Sequence, residues 1–144
     1  MDETDPIGAF TPDQITRPDL FDWIEAELLS IEDDLLEPAS VPYGRASKAA
    51  AQTLLGKMYL NAEVYTNNPR WDDCITYCNK VIDNGGFSLS PSYSELFMAD
   101  NHTSSEIIFP VCFDGQYTQT WGGTTFLICA AIGSTMDASD YGMN

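Results

Sequence analysis

At 144 residues the chain is long enough for one domain around a single core, and two are not expected. Its 22 acidic against 6 basic side chains give a formal net charge of −16, which repels phosphate backbones and anionic headgroups and argues against nucleic acid as a partner. The stretch Met1 to Glu37 holds 12 of the acids and only Arg17 as a base, so most of the negative charge belongs to a solvated N-terminal quarter. Residues 1–16, with Pro6, Gly8 and Pro12 among acids, form a lead-in. From Pro18 to about Leu36, Leu20, Trp23, Ile24, Leu28, Ile31 and Leu35 recur at three- and four-residue steps. That spacing predicts an amphipathic helix with Pro18 in its first turn, and Glu37-Pro38 ends it.

A second helix is predicted from near Ala46 to about Ala62. Its stripe is Ala50, Ala51, Leu54, Leu55, Met58, Tyr59 and Ala62, whose small members allow close helix approach. A third runs from Trp71 to about Asp83, with Cys74, Ile75, Cys78, Val81 and Ile82 at matching spacing. Asn84-Gly85-Gly86 provides a left-handed stop. The two should form an antiparallel hairpin in which Leu54, Leu55 and Met58 face Ile75, Cys78 and Ile82. The pattern Leu55-Gly56-x-x-Tyr59 followed by Cys74, Tyr77-Cys78 and Val81 resembles a tetratricopeptide repeat, although the Glu63 to Arg70 connection is about six residues too long and no second copy follows. Beyond the hairpin, Ser90-Pro91 should cap a short helix reaching about Met98. The apolar run Ile107 to Phe113, with Pro110 inside it, reads as a short edge strand. The fold class is therefore mainly α: a tetratricopeptide-like hairpin with a preceding helix and a minor β element, an incomplete piece of a larger α superhelical fold. Residues 1–16 are the lead-in, 17–86 the helical region and 87–144 a mixed loop and strand region of one partial domain.

No apolar run approaches the ~20 residues of a membrane span, and MDETDPIGAF lacks the basic and apolar regions of a secretory signal, so the sequence by itself predicts a cytoplasmic chain. Cys74, Cys78, Cys112 and Cys129 are too few and too irregularly spaced for a disulfide scaffold. Catalysis finds little to work with. The one histidine, His102, sits in a polar loop without a basic or cysteine neighbour, and reads as exposed or capping. Cys74 and Cys78, one helical turn apart, read as small core residues, since no third metal ligand is near. Glu25, Glu32, Asp33 and Asp34 contain the residue types of a glycosidase pair, but on one acidic helix they should face water, and Asp72-Asp73 suit the start of a helix dipole. Asp100, Asn101 and Asp114 are oxygen-rich without the spacing of a calcium loop, so no cofactor is assigned.

The aromatics carry the functional reading. Sugars stack flat C–H faces on Trp and Tyr rings while Asn, Asp or Gln meet their hydroxyls, and Tyr117, Gln119 and Trp121 beside Gly122-Gly123 have that composition. Core packing is the competing role for Trp121, and Tyr65, Trp71 and Tyr93 are assigned to hairpin and turn packing. The segments YGRASKAAAQTLLGKMYLNAEVYT, RWDDCITYCNKVID, LFMADN, SEIIFPV and TWGGTTF, in that order from about Arg17 to about Gly133, resemble the central part of the SusD/RagB family. That resemblance implies a helical scaffold with tetratricopeptide-like hairpins and a non-enzymatic, surface-exposed outer-membrane lipoprotein. It further implies a protein that binds oligosaccharide or polysaccharide and hands it to a TonB-dependent transporter of the SusC type. The family's signal segment and lipid-bearing cysteine have no counterpart in these residues. Two rivals stand beside it: a tetratricopeptide-like protein-interaction module without sugar binding, and a glycosidase fragment.

Overall fold

The computed structural model describes residues 14–98 and 100–112. Helix α1 spans Arg17–Ile31. Thr16 caps it by accepting from the Asp19 backbone N–H at 3.3 Å and donating its hydroxyl to the Asp19 carboxylate, and Pro18 occupies the first turn, where no N–H is needed. After a 3-10 turn at Pro38–Ser40 the chain reaches Ser47, which is buried and caps helix α2, Lys48–Leu60, through its Oγ and the Ala50 N–H. Helix α4, Trp71–Asn84, returns antiparallel to α2, and these two helices make the most extensive contact in the fold.

The stretch expected as one helix to Ala62 is two. Asn61 ends α2 with its N–H on the Met58 carbonyl at 3.1 Å, and a five-residue helix α3, Ala62–Thr66, follows and packs on α1. Asn67, at φ 58°, closes α3 in the left-handed region that Asn tolerates. The extra length in the hairpin connection is thus a short helix that lies against α1. At the far end of α4, two glycines divide the work of stopping it. A Cβ on Gly85 would collide with the Val81 carbonyl and the Phe87 ring, whereas Gly86 carries the positive φ of 70°.

The core is small: Phe21, Leu55, Tyr59 and Ala62, with Leu28, Met58, Cys74 and Tyr77 packed against it. Leu55 is fully buried and Tyr59 only 2% exposed, held by the tilted Phe21 and Tyr77 rings at 6.4 and 5.4 Å. This corrects the predicted hairpin facing. Leu54, Ile75 and Ile82 are exposed, Ile82 by 72%, and Leu55, Gly56 and Tyr59 meet Cys74, Tyr77 and Cys78 instead. The reason is geometric: a Cβ built on Gly56 would lie 3.5 Å from the Cys78 sulfur, so α4 approaches at the glycine and the wider Leu54 side is turned out. The apolar face of α1 is also displaced, since Leu20, Trp23 and Ile31 are exposed and Phe21 and Leu28 point inward. Trp71, assigned to hairpin packing, is likewise exposed.

Past α4 the described residues are irregular apart from two 3-10 turns, Tyr93–Phe97 and Asn101–Thr103. Ser90 does not cap the first. Its hydroxyl donates to the Ser92 carbonyl or the Glu95 carboxylate, and Ser92 occupies the cap position. Segments 88–90 and 105–106 close this region, with the Ser88 N–H on the Ser105 carbonyl at 3.2 Å and the Ser90 N–H on the Glu106 carboxylate at 2.8 Å. The predicted strand at Ile107 to Phe113 does not form over 107–112, and no strand occurs among the described residues. Pro110 removes a ladder donor there. The mainly helical class holds without that minor element.

Candidate functional site

Two carboxylates that should have faced water, Glu25 on α1 and Glu32 at its C-cap, face the hairpin instead. Glu25 accepts the Tyr59 hydroxyl at 2.7 Å and Arg70 Nη2 at 3.0 Å, while Arg70 also binds Asp73 through Nε and stacks 4.7 Å over the Tyr59 ring. Two turns later Glu32 accepts from Gln52 at 2.9 Å, Lys80 at 2.9 Å and the Tyr77 hydroxyl at 3.1 Å, and the Lys80 ammonium sits 4.1 Å over the Tyr77 ring. Each rung therefore combines a carboxylate from α1 with a tyrosine and a cation from the hairpin. Such contacts satisfy a carboxylate that burial would otherwise penalise. Both acids are occupied structurally, which removes them as a glycosidase pair. Asp33 stays exposed and meets Lys48 only at 3.7 Å.

Burial by itself pushes the Glu32 carboxyl up, but the hydrogen bonds from Lys80, Gln52 and Tyr77 and the charge of Lys80 together hold it below its ordinary value. A lowered folded-state value means that Glu32 contributes stability above the unfolded carboxyl range, about pH 4.3, and loses it as pH falls through the lower folded value. The stability difference between the native chain and Glu32→Gln, followed by urea melts from pH 7 to pH 3, is expected to shrink across the acid end. A difference that stays constant with pH would detach Glu32 from that linkage. For Tyr59, burial comes first and the hydrogen bond to Glu25 second in pushing the phenol up, so it acts only as a donor at neutral pH.

The surface that suits a flat ligand lies elsewhere, on the 3-10 turn Tyr93–Phe97. Tyr93 and Phe97 are 77% and 70% exposed and meet edge to face at 5.1 Å between centroids. Beside them the Ser92 and Ser94 hydroxyls are 2.8 Å apart, and the Glu95 carboxylate meets Ser90. Exposed rings flanked by hydroxyls and a carboxylate are the elements of a sugar-stacking surface. Tyr93 was assigned to turn packing from sequence; the turn instead carries it outward, and its four-residue spacing to Phe97 is the only signal that pairs them. His102 is exposed and edge-on to Tyr43 at 6.3 Å, matching the loop role expected of it.

Two clefts open on the described surface. One, of about 240 Å³, is lined by Glu32, Glu37, Lys48, Gln52, Lys80 and Asn84 together with Pro38, Ala49 and Gly85, with most of its charges already paired to each other. The other, of about 250 Å³, is an apolar groove along α2 and α4 bounded by Gly56, Leu60, Cys74, Cys78, Val81 and Ile108. Cys78, expected in the core, is exposed at this groove, and Cys74 is half-buried. Among the described residues no group of three or more metal-ligating side chains converges, and no helix is long and apolar enough to cross a membrane. The platform read from sequence, Tyr117, Gln119 and Trp121, lies outside the described residues, as does Asp114. Asp100 is exposed, and the Asn101 side-chain amide donates to the Leu96 carbonyl at 3.0 Å.

One helix docked by polar rungs on a close-packed helical hairpin, followed by a segment with outward aromatics, is a helical scaffold of the tetratricopeptide-like kind. No protein-family model matches the chain. Among curated proteins, the chain is 44% identical over 115 residues to the starch-binding protein SusD of Bacteroides thetaiotaomicron, a match covering 77% of this chain and 21% of that protein. The matched part of the chain is SusD-like in sequence and spans about a fifth of the length of the relative it matches.

Proposed function

We propose that the protein containing this chain captures starch-like glycans without cleaving them. The observation that carries this reading is the 44% identity, over three-quarters of the chain, to a protein named for starch binding. The exposed Tyr93 and Phe97 rings support it by offering stacking surface that the helical core does not use. Tyr117, Gln119 and Trp121 are proposed as a second contact, stacking on Trp121 or Tyr117 with hydrogen bonds from Gln119. Within the resemblance to the SusD/RagB family, the bound glycan would pass to a TonB-dependent transporter of the SusC type from a lipid-anchored position at the outer-membrane surface.

Affinity is expected to be modest, because an exposed platform buries little area and sugar hydroxyls give up water before they gain partners. In the full-length parent, Trp121→Ala should weaken maltooligosaccharide binding by roughly 1 to 3 kcal/mol with an unchanged melting temperature, as for loss of an aromatic anchor. Titration calorimetry paired with a thermal melt reads both. Unchanged affinity with a collapsed melt would assign Trp121 to the core and leave glycan contact to other residues, Tyr93 and Phe97 first. The rival reading, a protein-interaction module, has one observation in its favour, the open apolar groove on α2 and α4. No maltooligosaccharide binding by the unaltered full-length parent would turn the balance toward it.

A further inference from the structure

We draw no further inference here: the strongest candidate, the outward face of α1 carrying the exposed Leu20, Trp23 and Ile31, is an unpartnered apolar stripe, and nothing in the structure shows what covers it.

Discussion

Leu55→Ala is expected to cost about 2 to 5 kcal/mol of stability, the range for truncating a fully buried leucine where the surroundings cannot collapse. Leu55 is 0% exposed and belongs to the same cluster as Phe21, Tyr59 and Ala62, so the lost methyls would leave a void between α1, α2 and α4 that no neighbouring chain segment is placed to fill. Leu54→Ala, one position earlier and exposed, should cost far less. Urea melts of the two variants make the comparison internal to one helix. Similar losses for both would mean that the hairpin packs through the predicted facing after all.

Arg70→Met should be the most damaging polar change, costing roughly 1 to 3 kcal/mol, the range for a hydrogen bond to a charged group whose partner is left behind. Glu25 would keep only the Tyr59 hydroxyl, at a position mostly closed to water, and Asp73 would lose its guanidinium partner at the start of α4. Arg70 itself is partly open to solvent, so the lower half of the range is expected. Removing the orphaned charge as well, in Glu25→Gln with Arg70→Met, should recover part of the loss. Additive losses would show that the two side chains act independently.

The helices themselves were legible because α2 and α4 carry long apolar periods, with Gly85-Gly86 ending α4 as expected. Their facing was not. In α2, apolar residues surround so much of the helix that the stripe alone did not choose between Leu54 and Leu55, and the choice was made by Gly56 admitting α4. In α1 the inward positions include Glu25 and Glu32, which read as solvated acids because their partners Arg70, Tyr77 and Lys80 lie 45 to 48 residues away. Tyr93 was misplaced for a related reason: a 3-10 turn has no apolar period long enough to declare which ring faces out. The break at Asn61 was hidden by Ala62-Glu63-Val64, which continue a helical pattern across it. The platform at Tyr117, Gln119 and Trp121 stands on the family resemblance and on composition.

The two polar rungs also set where α1 sits along its own axis. Glu25 and Glu32 are seven residues apart, so at about 1.5 Å of rise per residue the rungs stand about 10 Å from one another. Sliding α1 by a single turn, about 5.4 Å, would carry both carboxylates off their partners at once and draw Phe21 from its place beside Tyr59. The rungs thus act as a ruler. They make one alignment of this helix on the hairpin singular where a weakly apolar face would tolerate several, and they do so whether or not the ion pairs add net stability.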